Sequence, residues 1–168
     1  RAHFVFTSNV DGQFQKANFS DNHIVECHGS IHHWQCSEGC GSGIWPAPDT
    51  DLSIDEQSLQ AAQPLPRCSE CHSIARPNIL MFGDWGWNER RAQAQQQRYD
   101  QFLNSTSEGK LVCIEIGAGS DIPTVRHECE SAEGTLIRIN PRDFYVSGNS
   151  VSIPLGALDA LQRIDELL

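Results

Sequence analysis

The tightest constraint on this chain is four cysteines in two close pairs. Cys36 and Cys40 form C-x3-C, Cys68 and Cys71 form C-x2-C, and 27 residues separate the pairs. Each pair lets two thiolates from one tight turn reach a single ion, and two such knuckles complete the tetrahedron of a closed structural zinc site. Gly39, Gly41, Gly43 and Ser69 supply the turn flexibility the knuckles need. The spacer is longer than a usual zinc ribbon, which predicts an elaborated loop. Seven cysteines is an odd count on a chain of 168 residues, unlike a small secreted disulfide scaffold. Cys27, Cys113 and Cys129 fall in apolar or helical contexts and read as buried thiols.

The rest of the chain is long enough for one ordinary domain with a core and a small appended module. A hydrophobic fraction of 39% argues for a globular protein over a disordered one. The formal net charge of −10 argues against DNA or RNA as a partner, because neutralising phosphates takes clustered Lys and Arg. No apolar run approaches the roughly 20 residues that span a bilayer, and no segment resembles a signal peptide, so a cytoplasmic location is expected.

Outside the cysteine module, strands alternate with helices. "HFVFTSN" (His3–Asn9) reads as a buried strand running into the polar turn Asn9-Val10-Asp11-Gly12. "HIVECHGS" reads as a second short strand ending at Gly29. The module spans roughly Trp34 to Ile74, with one short helix expected around Ser53–Ala61. "RPNILMFGD" (Arg76–Asp84) predicts a strand and a glycine turn, and Asn88 caps a polar helix to about Leu103. "KLVCIEIGAGSDIPT" gives a buried strand, Leu111–Ile116, then Gly117-Ala118-Gly119-Ser120 and a helix to about Ala132. Thr135–Pro141 and Ser150–Pro154 are further strands. Leu155, Leu158, Leu161, Ile164 and Leu168 put one apolar face on a closing helix. This alternation predicts an α/β fold with a parallel Rossmann-like sheet, present in part, and an inserted zinc-ribbon module. In such sheets ligands sit beyond the carboxyl ends of the strands. Asn9, Asp11, His28, Gly83, Gly117 and Asn140 all fall at predicted strand ends and are expected to line one cleft.

Taken singly, these motifs leave their alternatives open. Gly117–Ser120 fits a phosphate cradle at a helix N-terminus, and equally a strand-to-helix turn that needs small residues. Asn9 and Asp11 fit an ordinary solvated turn as well as a site. His28 alone fits a structural histidine as well as a catalyst. His32 and His33 lie near a cysteine set that already fills four positions, so surface or packing roles are expected for them. "MFGDWGW" fits either a peptide-contact edge or core packing.

In order, the pieces resemble the sirtuins, the family of NAD-dependent protein deacylases. "TSNVDGQFQKA" resembles the family's Thr-Gln-Asn-Ile-Asp-x-Leu-His segment, and "VECHGS" its Glu-Leu-His-Gly-Ser segment. The four cysteines match its zinc site in order, "RPNILMFGD" resembles Arg-Pro-x-Val-Val-x-Phe-Gly-Glu, "IGAGSDIPT" stands in place of its Gly-Thr-Ser loop, and "IRIN" resembles its Ile-Asn strand end. The resemblance implies that residues 1–33 and 76–168 form a Rossmann-like NAD-binding portion around a zinc module at 34–75. It implies His28 as general base. Asn9, Val10 and Asp11 would meet the nicotinamide end of NAD, Gly117, Ala118, Gly119 and Ser120 its phosphates and adenosine ribose, and Asn140 that ribose. Phe82 and Gly83 would pair with the backbone of an acylated protein or peptide lysine substrate, and Cys36, Cys40, Cys68 and Cys71 would hold a structural zinc. The implied reaction moves the acyl group to ADP-ribose and releases nicotinamide. The alternatives are a sirtuin-like ADP-ribosyltransferase or a zinc-stabilised binding module without catalysis.

Several positions depart from the pattern. Ser8 replaces a Gln, Gln13-Phe14 replace Leu-His, and Gly-Ala-Gly replaces Gly-Thr-Ser. The family's earlier Gly-Ala-Gly-x-Ser loop and Asp-Phe-Arg segment have no counterpart before "HFVFTSN". A fragment is therefore expected, with little or no NAD turnover unless the other half is supplied.

Overall fold

The computed structural model describes residues 2–49, 52–106, 111–148 and 150–167. They fall into two compact units, 1–100 and 101–168.

The first unit starts with β1 (Val5–Thr7), a short helix α1 (Gln13–Lys16) and β2 (Ile24–Glu26). β1 and β2 pair in parallel, with Val5 opposite Ile24 and Thr7 opposite Glu26. Ile24, Val25 and Glu26 are all buried, and rings close over the pair: Phe4 and Phe6 lie 5.3 and 5.5 Å from Tyr99. Tyr99 belongs to α2 (Arg90–Ser105), the polar helix expected after Asn88. Asn88 does open it, its Oδ1 accepting the Arg90 N–H at 3.3 Å. α2 also covers the end of β2. Gln95 Oε1 accepts the Glu26 N–H at 3.1 Å, and Arg91 Nη2 meets the buried Glu26 carboxylate at 2.5 Å.

A second sheet, antiparallel, has the order β4-β3-β5: β3 (Gly29–Cys36), β4 (Ile44–Pro46) and β5 (Ala75–Ile79). Two expectations change here. The strand read as ending at Gly29 stops at Glu26, and Gly29 opens β3 in a different sheet. Ala75–Ile79, read as part of a parallel series, pairs antiparallel with β3. A knot of buried amides explains the pairing. Asn78 Nδ2 donates to Gln35 Oε1 (2.8 Å) and to the Asn88 carbonyl (2.9 Å), and Gln35 Nε2 donates to the Gly86 carbonyl (2.7 Å). Such groups leave water only when every partner is present.

The helix expected around Ser53–Ala61 is absent. The Asp55 carboxylate accepts from both the backbone and the hydroxyl of Ser58, at 2.7 Å each, and Ile54 bridges to Ala61. A side chain that bonds its own backbone competes with the helix, and this segment has no apolar face to pack, with Leu59 80% exposed.

The second unit holds β6 (Val112–Ile116), α3 (Thr124–Ser131), β7 (Thr135–Ile139), β8 (Val151–Ile153) and α4 (Ala157–Asp165). The sheet β6-β7-β8 is parallel throughout, as the alternating pattern requires. Two burial expectations are corrected. β6 is not buried on both faces: Val112, Ile114 and Ile116 are exposed on the edge strand. α4 is shorter than its apolar spacing suggested, and it buries Ala160 while Leu158 and Leu161 stay exposed. No helix among the described residues is long and apolar enough to cross a membrane.

Candidate functional site

Parallel pairing brings two loops to one edge. β1 ends at Thr7 and β2 at Glu26, residues that face each other in register, so Ser8–Gly12 and Cys27–His28 leave from the same carboxyl end. Cross-bonds fix the arrangement. The Cys27 N–H donates to the Thr7 carbonyl and the Ile31 N–H to the Val10 carbonyl, both at 2.9 Å. Asn9 is held by its N–H on Thr7 Oγ1 at 3.0 Å, which leaves its exposed side chain for other partners. Asp11 Oδ1 accepts the Gln13 N–H at 3.2 Å and starts α1.

His28 occupies the two-residue turn between β2 and β3, half-buried. Its carbonyl accepts the Leu80 N–H at 2.9 Å, tying the turn to the segment that carries Phe82 and Gly83. Those two residues form a projecting turn with Phe82 90% exposed. A bidentate pair, Arg76 Nη1 and Nη2 on Asp84 at 2.8 and 2.9 Å, clamps its base. The Arg76 guanidinium bonds hold the Asp84 carboxyl below its ordinary range.

His32, for which a surface or packing role is expected, has a packing one. Its Nε2 lies 3.1 Å from the Asp11 carbonyl, and a Cβ on Gly12 would meet its ring at 2.7 Å. The imidazole is therefore packed against the Asn9–Gly12 loop. No motif marked it, since the contact joins residues 21 apart through the β3 backbone. His33 is partly buried, and desolvation, helped by the charge of Arg91 and opposed by Glu26 and Asp21, lowers its pKa.

In the second unit the same geometry recurs. Ile116 faces Ile139 in parallel register, so Gly117–Ser120 and the turn after Asn140 leave from one end. Gly117 has φ 68° and donates its N–H to the Ile139 carbonyl at 2.9 Å. Asn140 is buried and already engaged: Nδ2 donates to the Ala118 carbonyl (3.1 Å), and Oδ1 accepts from the N–H groups of Arg142 (2.9 Å) and Asp143 (3.0 Å). It knits the two loops together. Arg126 Nη2 adds a second bond to the Ala118 carbonyl at 2.9 Å.

The four module cysteines converge. Cys36 and Cys71 sulfurs lie 3.4 Å apart, Cys40 and Cys68 3.6 Å, and all four lie within 4.8 Å of one another. Four thiolates about 2.3 Å from one zinc ion would stand about 3.8 Å apart, so this set fits zinc and leaves no position open for catalysis. Each knuckle is closed by its backbone: the Gly39 N–H on the Cys36 carbonyl (3.3 Å), and the His72 N–H on the Cys68 carbonyl (3.0 Å). The Ser42 hydroxyl beside Cys68, with knuckle N–H groups, brings that thiol down to about 6, toward the thiolate a metal takes.

The family model of the Sir2 family matches residues 1–107, well over half the chain. This chain belongs to the Sir2 family. A protein ADP-ribosyltransferase of Staphylococcus aureus is 24% identical over 89% of this chain and 47% of its own length. An NAD-dependent protein deacylase of Thermococcus sibiricus is 25% identical over 83% of this chain and 49% of its own. An NAD-dependent protein deacetylase of Leishmania major reaches 35% identity, over 46% of this chain. The chain thus spans about half the length, or less, of these curated relatives. Among solved structures, a Sir2 homologue in complex with NAD superposes with a TM-score of 0.65 at 18% identity, covering 98% of this chain and 57% of that one. A Sir2 homologue in complex with ADP-ribose gives 0.64, also at 18%. These likenesses establish the fold, a Sir2-type α/β sheet with a zinc module.

Proposed function

We propose that this chain carries the catalytic histidine edge of an NAD-dependent protein lysine deacylase. The observation that supports it most is the Thr7–Glu26 register, which brings the loop carrying Asn9, Val10 and Asp11 and the turn carrying His28 to one end of the β1–β2 pair in a Sir2 family member. On this reading NAD supplies the ribose carbon that accepts the acyl oxygen when nicotinamide leaves. His28 accepts a proton from a ribose hydroxyl, work suited to an imidazole near neutral pH. Asn9 and Asp11 hold the nicotinamide end, with Val10 as an apolar neighbour. Ala118, Gly119 and Ser120 offer backbone N–H groups to phosphate and ribose, Gly117 makes the turn beside them with its own N–H on the Ile139 carbonyl, and Asn140 shapes that loop through its bond to Ala118. Phe82 and Gly83 border an acyl-lysine of a protein substrate. Zinc on Cys36, Cys40, Cys68 and Cys71 is structural. Residues 1–33 and 76–168 form the Rossmann-like portion and 34–75 the zinc module on the same reading.

The test supplies an acetyl-lysine peptide and NAD to the protein and assays O-acetyl-ADP-ribose. With a Sir2-type NAD-binding half supplied alongside, product is expected from the wild type, with loss of about 10²–10⁴-fold in His28→Ala. Equal product from both proteins overturns the role of His28. One observation favours a second reading: a relative similar over 89% of this chain is named a protein ADP-ribosyltransferase. Transfer of label from NAD onto a protein acceptor, with no acylated ADP-ribose formed, would select that reading.

A further inference from the structure

β6 alternates its side chains. Val112, Ile114 and Ile116 are exposed, whereas Cys113 and Glu115 turn to the side where α3 packs. On α3, Arg126 Nη2 comes within 3.8 Å of Glu115 Oε1, and Cys129, three residues on, shares that helical face. Cys113 and Cys129 thus face each other across the packing of β6 against α3, close enough for their thiols to interact, and both are partly accessible. Around them lies a buried ionic group. Arg138 Nε and Nη2 clasp Glu115 at 2.6 and 2.8 Å, and Nη2 also reaches Glu130 at 2.7 Å. Cys129, Arg126, Glu130, Arg138 and Tyr145 line a cavity of about 580 Å³ that opens the Cys129 side of the pair to small solutes, and Cys113, outside that lining, is itself partly exposed. Neither cysteine belongs to the zinc cluster.

We propose that Cys113 and Cys129 are an oxidation site, a dithiol that peroxide closes to a disulfide stapling α3 to β6. Cys113 is the nucleophile. The S–H of Cys129 donates to its sulfur and lowers its pKa, with Arg138 helping, while burial, Glu115 and Glu128 oppose. The same bond and burial push Cys129 up, so it stays a thiol. The Cys113 thiolate attacks one peroxide oxygen, the O–O bond breaks, and hydroxide leaves and is protonated to water, giving Cys113 sulfenic acid. The Cys129 sulfur then attacks the sulfenic sulfur, its proton leaves with the displaced hydroxyl as a second water, and the S–S bond forms. Two thiols are oxidised and one peroxide is reduced to two waters. The closed ring contains Gly117–Ser120, and Arg126 on the stapled helix already holds the Ala118 carbonyl. Oxidation therefore restrains that loop, whatever ligand the loop meets.

Trypsin cuts after Arg126, so the two cysteines fall in separate peptides and their linkage can be read directly. After hydrogen peroxide treatment of the zinc-loaded protein, non-reducing peptide mapping is expected to show the Cys113 and Cys129 peptides joined, lighter by two hydrogens than their sum. The unfolding midpoint should rise by several degrees and return with dithiothreitol. Cys129→Ser should abolish both changes and drive Cys113 on to sulfinic acid, whereas Cys113→Ala should leave Cys129 reduced. Both thiols alkylating as fast after peroxide as before, or the linkage joining any other pair, overturns the proposal. The wild-type mapping decides it even where a cysteine variant fails to fold.

Discussion

Gly29 follows His28 with φ 85°, and a Cβ there would sit 1.9 Å from the Asn78 carbonyl oxygen. No side chain fits between two backbones that close, and the conformation itself is strained for any other residue. Gly29→Ala should therefore cost at least about 3 kcal/mol in urea unfolding and displace the His28 turn. A loss under 1 kcal/mol would mean that β3 and β5 part more easily than their pairing implies. Asp84 gives a pH-dependent counterpart. Its pKa is held below the ordinary value by Arg76, so the folded state binds fewer protons there than the unfolded state. The stabilisation is present above the unfolded carboxylate pKa of about 4 and fades as pH falls through the lower folded value. Asp84→Asn should be less stable than wild type near pH 6, and the difference should shrink as pH falls below the unfolded carboxylate value of about 4. A gap that persists in acid would rule out the ion pair as its source. His28 itself was visible as a histidine between a strand and a glycine. Asn9 and Asp11 were visible as residues at another strand end, and the parallel pairing of β1 with β2 is what brings their loop and the His28 turn to one edge.

The zinc module shows how far spacing alone can carry. Two knuckles whose cysteines are three or four residues apart leave few ways to place four sulfurs, and the structure brings all four within 4.8 Å. The segment between them was harder to read. Asp55, Ser58 and exposed Leu59 favour a side-chain-bonded turn over the short helix their composition suggested. With so little apolar burial there, metal must supply much of the module's order. A strong zinc chelator should lower the melting temperature and abolish near-ultraviolet signal from Trp34 and Trp45, which face each other across β3 and β4. Re-addition of zinc should restore both. Unchanged spectra after verified zinc loss would show that β3 and β4 hold without it.

Over the described chain, the parallel sheet of the second unit leaves one apolar row open. Parallel sheets are normally covered on both faces, yet Val112, Ile114 and Ile116 are 55%, 53% and 42% exposed. Such a row binds hydrophobic dyes. Ile114→Glu should cut the fluorescence of a bound naphthalene-sulfonate dye severalfold, with stability changed by only about 0.5 kcal/mol. Undiminished dye binding would place the apolar surface elsewhere, for example at Met81, Phe82 and Trp85, which are also exposed. Local chemistry in the chain was sufficient for the four clustered cysteines, the helix start at Asn88, the glycine turn after β6 and the family resemblance, since each depends on neighbours a few residues away. Strand partners were beyond it. Ala75–Ile79 has the same apolar look in a parallel or an antiparallel sheet, and its choice is made by Asn78 meeting Gln35 and the Asn88 carbonyl. The meeting of Cys113 with Cys129, and of His32 with Asp11, likewise arose only once distant backbone segments had packed, because side-chain encounters depend on which faces the folded sheets turn toward each other.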